Sequence, residues 1–92
     1  MVTILEKWTR IAEEHLKGRT IMKVEYMSDL EAEENMWYNK PVALILDDDS
    51  RVIVSADDEG NDGGALFVSK LNPRREYVIP TLQKGRDNGK LQ

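Results

Sequence analysis

The sequence predicts an α+β domain in which an N-terminal helix packs on a curved, mainly antiparallel sheet of about five strands. Three observations carry that expectation. A capped amphipathic helix opens the chain. Several short apolar runs follow it, separated by polar turns. Sequential strands joined by short turns favour antiparallel neighbours, and the curvature could extend to a small open barrel.

The helix begins at Thr3-Ile4-Leu5-Glu6, a capping box in which the Thr hydroxyl accepts from the third helical amide and Glu6 reaches back. Apolar residues then recur at Ile4, Leu5, Trp8, Ile11, Ala12 and Leu16, with His15 beside them. That spacing is close to 3.6 residues and makes one apolar stripe. Gly18 stands where a left-handed residue ends a helix. The stretch 20–27 (TIMKVEYM) reads as a half-buried strand with Met22, Val24 and Tyr26 on one face. Ser28-Asp29-Leu30-Glu31 is a second capping signal, predicting a short acidic helix to about Met36 on the surface between strands one and two.

Trp37 and Tyr38 are expected to cover one edge of the core or to join an exposed aromatic interface. Asn39-Lys40-Pro41 reads as a turn or strand entry, since proline can start a strand but not sit inside one. VALIL (42–46) and RVIVSA (51–56) flank Asp47-Asp48-Asp49-Ser50 and predict a hairpin. VALIL is apolar on both faces, as a central strand should be. Further strands are predicted at 65–69 and 76–79, with a turn through Leu71-Asn72-Pro73-Arg74-Arg75. Residues 1–80 are expected to form the domain. The polar, glycine-containing stretch 81–92 is expected to be a flexible tail.

Ninety-two residues leave no room for a second core. The absence of cysteine removes disulfides, thiolate nucleophiles and zinc–thiolate sites, and suits a reducing compartment. No stretch approaches the ~20 apolar residues of a membrane span and no signal peptide opens the chain, so a cytoplasmic protein is expected. Charge is unevenly spread. Residues 1–69 hold 7 Lys/Arg and 15 Asp/Glu, a net −8, while 70–92 hold 6 and 2, a net +4. An acidic body disfavours nucleic-acid binding.

SADDEGNDGGAL (55–66) is the one stretch that invites a site. Asp57, Asp58, Glu59, Asn61 and Asp62 are hard oxygen donors of the kind that hold Mg²⁺ or Ca²⁺. The spacing fails the EF-hand pattern, however, because Gly60 and Ser69 fall on ligand positions when the loop is started at Asp58. No Gly-Lys-Ser/Thr follows, so it is not a P-loop. The competing structural reading is a wide turn, with glycines supplying unusual backbone and Asn61 and Asp62 bonding nearby amides. Three consecutive acids would need a positive counterpart, and Arg19 is the candidate for a pair with Asp57 or Asp58.

Catalytic machinery is thin. His15 is the only histidine and lies on the apolar stripe, where a structural role is the ordinary one. Ser55 and Thr20 lack a nucleophile-elbow frame.

The runs LKGRTI, WYNKPVALILDD and SADDEGNDGGALF resemble a small uncharacterised prokaryotic domain family over about residues 16–67. That family has no assigned activity. The resemblance implies that the acidic glycine loop belongs to its signature.

These observations together predict a protein-interaction module rather than an enzyme, with no catalytic residue. The expected contact surface is loop 57–64 with Arg19, Trp37 and Tyr38, and the expected partners are a second copy of the chain and another protein. The alternative is a divalent-metal-dependent small-molecule or phosphate site, with Asp57, Asp58, Glu59 and Asp62 on Mg²⁺ or Ca²⁺. A third reading is an acidic mimic of nucleic acid.

Overall fold

The computed structural model describes residues 1–83. It is an α+β fold with antiparallel pairing throughout the described strands, and no closed barrel. The elements are α1 (Ile4–Leu16), β1 (Ile21–Tyr26), α2 (Asp29–Glu34), β2 (Asn39–Lys40), β3 (Val42–Leu46), β4 (Arg51–Ile53), β5 (Leu66–Leu71), β6 (Arg74–Ile79) and β7 (Leu82–Gln83). The strands do not form one sheet. They make a three-stranded sheet, β1-β3-β4, and two separate pairs, β2-β7 and β5-β6.

The hairpin of β3 and β4 forms as predicted, and β3 is the central strand. Two short strands add to those expected. Asn39–Lys40, expected as a turn or strand entry, is a strand. It pairs with Leu82–Gln83, which was assigned to the tail; the remainder of that tail, 84–92, lies outside the described residues.

Directly opposed residues of an antiparallel pair point to the same side. Glu25 and Ala43, Ala43 and Ile53, and Ile45 and Arg51 therefore share one face. α2 closes off that side. Met27, Ala32 and Trp37 form a buried cluster with Ile53 packed against it. Arg51 donates to Glu31 Oε2 at 2.6 Å, tying the sheet to the short helix. So α2, expected as a mere surface insertion, supplies the core residue Ala32. Lys40 is buried beneath its N-terminus, with Nζ 2.7 Å from Asp29 Oδ1.

The opposite face carries Val24, Leu44 and Val52, which are partners in register, and Ile21 paired with Leu46. Here the structure departs from expectation. The capping box forms at Thr3 and Glu6, and Gly18 takes a positive φ of 76°, so the helix exists as predicted. Yet none of the residues of α1 is buried, although Val42 and Leu46 on this face are. Ile4, Leu5, Trp8 and Leu16 remain exposed, as do Ile21, Met22 and Val24 of β1. Among the described residues, sixteen large apolar side chains are exposed and six hydrophobic residues are buried.

Candidate functional site

The acidic glycine loop is an ordered structure built from carboxylate-to-backbone bonds. Its base is closed by a bridge between Ser55 and Gly63, by Ala56 N–H donating to the Asp62 carbonyl at 2.8 Å, and by Gly64 N–H donating to Val54 at 2.8 Å. Asp57 organises the tip. Its Oδ1 accepts from the amides of Glu59 at 2.9 Å and Asn61 at 3.2 Å, and its Oδ2 accepts from Asn61 Nδ2 at 2.9 Å. Aspartate readily bonds amides a few residues on, which is why it suits this position. These Asn61 bonds, side chain first, and the nearby amides hold the Asp57 carboxyl below its ordinary range.

Asp62 does a different job, joining the loop to the body. Its Oδ1 accepts from the amides of Tyr38 at 3.1 Å, Asn39 at 2.9 Å and Gly63 at 2.8 Å, while Oδ2 accepts from Asn39 Nδ2 at 2.9 Å. Burial raises the Asp62 pKa, but the Asn39, Gly63 and Tyr38 donors together outweigh it and the pKa is lowered. Trp37 completes the attachment, its indole N–H donating to the Gly60 carbonyl at 2.7 Å.

Gly63 explains why this seam closes. A Cβ there would collide with the Asn39 carbonyl oxygen and lie 2.6 Å from Pro41 Cδ. Only glycine lets the two backbones approach this closely. At Gly64 a Cβ would lie 2.9 Å from the Ser55 carbonyl oxygen. The double glycine is thus a packing device at the loop's exit.

The predicted site residues divide into three groups. Asp57, Asn61 and Asp62 are internal fastenings. Asp58 and Glu59 lie exposed at the tip, and Tyr38, whose amide donates to Asp62, is 78% exposed. Arg19 stands apart from the loop, and Trp37 is bonded to it from beneath. Trp37 is buried. Arg19 Nη1 lies 3.4 Å from both Asp47 Oδ1 and Asp48 Oδ2, so it serves the β3–β4 turn instead of the loop. Asp48 also accepts from the hydroxyl and amide of Ser50, and these bonds, with Arg19, lower its pKa. The positive counterpart anticipated for the loop is therefore the partial charge of backbone N–H groups.

No group of three or more His, Asp or Glu side chains among the described residues is placed to hold a metal ion. The reason is visible in the bonds: Asp57 and Asp62 turn their oxygens toward amides on different sides of the loop. No described helix is long and apolar enough to cross a membrane.

Comparison with known proteins finds no matching family model, no similar curated protein and no similar solved structure. The resemblance over residues 16–67 thus has no matching family model behind it.

Asn39 is the residue that sequence reasoning missed. Its side chain and amide both bind Asp62. The signal was its place directly before Lys40-Pro41, where a short strand entry must satisfy backbone donors with something other than a ladder.

Proposed function

We propose that this chain is a small protein-interaction module that associates with itself and presents loop 57–64, together with Tyr38, to a second protein. One observation carries the proposal. The Asp62 carboxylate fixes the backbone of Tyr38 and Asn39 while the Tyr38 side chain stays 78% exposed. A contact residue held on a pinned backbone has less freedom to lose on binding. Tyrosine is also among the residues enriched at protein interfaces. Exposed Asp58 and Glu59 in the loop to which the Tyr38 amide is bonded, and the net −8 of residues 1–69 (7 Lys/Arg, 15 Asp/Glu), favour a partner with a basic face. A cytoplasmic setting accords with the absence of cysteine.

Self-association is supported separately by the uncovered apolar surface of α1 and β1. The test of the partner surface compares the wild-type chain with a Tyr38→Ala, Asp58→Asn, Glu59→Gln variant as bait in extract from its native cells. A protein held by the first and released by the second, at equal melting temperature, supports the proposal. Equal recovery on both baits ends it.

A further inference from the structure

We propose that β1 pairs edge to edge with β1 of a second copy, antiparallel about a two-fold axis at Val24. Two three-stranded sheets then join into one of six strands, in the order β4-β3-β1-β1-β3-β4. This inference rests on the self-association proposed above and gives it a register.

The first observation is an unfilled edge. β1 ends the β1-β3-β4 sheet and pairs there with β3. Met27 N–H donates to the Pro41 carbonyl at 3.0 Å, continuing the register of Glu25 with Ala43. Along an antiparallel strand, successive residues turn their N–H and C=O groups to alternate sides. Met27, Glu25 and Lys23 therefore address β3, while Tyr26 and Val24 turn outward. Among the described residues no strand lies on that outer side, and residues 21–24 are exposed. Such an edge is a template for a further strand.

The second observation says which strand fits. Lys23 and Glu25 flank Val24, so the segment is complementary to itself when reversed. With Val24 opposite Val24, Lys23 of each copy faces Glu25 of the other, and the contact is made twice, as two-fold symmetry requires. Val24 exchanges both N–H···O bonds with its counterpart. The charged residues fall in the non-hydrogen-bonded pairs, where Cα atoms are ~4.5 Å apart and side chains are closest. Opposite charges stabilise such pairs and like charges oppose them. Neighbouring registers fail on this ground. A centre on Lys23 sets Lys23 against itself, and a centre on Glu25 sets Glu25 against itself. A centre between two residues sets outward backbone groups against inward ones and forms no ladder.

The third observation is an apolar row that the pairing continues. Val24 is opposite Leu44, and Leu44 is opposite Val52. Joining at Val24 extends the row without a break from one Val52 to the other, and covers a valine that is more than half exposed. The bulge between Ile21 and Lys23 limits the regular ladder to the residues around the axis. Within one chain Lys23 Nζ already lies 3.1 Å from Glu25 Oε1, so the dimer gathers two of each into one alternating cluster.

The experiment uses the full chain and two charge reversals, Lys23→Glu and Glu25→Lys. Light scattering should give the wild type a mass twice 10.6 kDa. Each reversal alone opposes like charges at both contacts and should raise the dissociation constant about tenfold. An equimolar mixture of the two should recover the dimer, because every cross-strand pair between them again opposes unlike charges. In the wild type, hydrogen exchange of the Val24 amide should slow as concentration rises; this readout needs no variant. A dimer indifferent to both reversals, a mixture no tighter than its components, or a Val24 amide that exchanges equally fast in monomer and dimer overturns the edge pairing and leaves self-association standing. A wild-type monomer at about 100 μM, far above the nM–μM range of specific pairs, overturns both.

Discussion

Asp62 grips Asn39 twice, its Oδ1 2.9 Å from the Asn39 amide nitrogen and its Oδ2 2.9 Å from Nδ2. Two segments 23 residues apart in sequence are thereby joined by one carboxylate. With the Tyr38 and Gly63 amides, four donors converge on it. Asp62→Ala should lower unfolding free energy by about 2–4 kcal/mol, since it removes charge-assisted bonds and strands partly buried donors. Asp58→Ala should change it by less than about 0.5 kcal/mol, as for an ordinary surface position. Urea denaturation of both variants measures the contrast, and equal effects would contradict the assigned roles.

Gly63 is buried against Asn39 and Pro41. Gly63→Ala should destabilise the protein by about 1–3 kcal/mol, the range for overpacking a close contact. Gly60 makes a useful control. It has open space where a Cβ would go but a positive φ of 73°, so Gly60→Ala strains the backbone without a clash. Loss of the Tyr38–Asp62 contact in amide exchange should follow Gly63→Ala and not Gly60→Ala.

Acid should loosen the loop first. The pKa values of Asp48, Asp57 and Asp62 are all lowered in the folded protein. A group depressed on folding adds stability that is present above its unfolded value, ~3.9 for Asp. That stability disappears as pH falls through the lower folded value. Urea midpoints should therefore be flat from pH 7 to about 5 as far as these groups are concerned, then fall steeply below about 4. Replacing Asp57 and Asp62 by Asn should flatten the acid limb.

Lys40 is 6% exposed and its ammonium is 2.7 Å from Asp29, whose side chain is 52% exposed. Asp29→Ala leaves that buried cation without this partner. It should cost about 1–3 kcal/mol, below the ~3–5 of a fully buried pair because water reaches Asp29. Lys40→Met removes the charge and keeps the volume, so it should be the milder change. Chemical denaturation of the two variants checks the order.

Divalent metal should not stabilise the chain. The best-placed oxygens of the loop already accept backbone N–H bonds. A native-state metal site would add about 2.7 kcal/mol at one hundred times its Kd. A melting temperature unmoved by millimolar Mg²⁺ or Ca²⁺ is the expected outcome, and a clear rise would revive the metal reading.

Local elements were legible in the sequence because their signals are local. Thr3 and Glu6 cap α1 as their spacing implies, Ser28 caps α2, and the β3–β4 hairpin turns at Asp47–Ser50. What could not be read was the assembly. The periodicity of Ile4, Trp8 and Ile11 says that α1 has an apolar face; it does not say that this face is left exposed, as it is at Ile4 and Trp8. Arg19 was correctly given a carboxylate partner but the wrong one, because Asp47 and Asp57 are indistinguishable as sequence symbols. The strand at Leu82–Gln83 is too short to carry a pattern, and only its pairing with Asn39–Lys40 defines it. In the loop, acidic composition suggested a ligand, whereas each carboxylate's direction decided its role.

The bond from the Trp37 indole to the Gly60 carbonyl has a practical corollary. It places a chromophore on the fastening itself, and Trp8→Phe would leave it as the chain's single tryptophan. Emission from such a chain would redden when the loop lifts away and water reaches the ring. Detachment of residues 57–64 could then be timed in a stopped-flow cell with no dye attached.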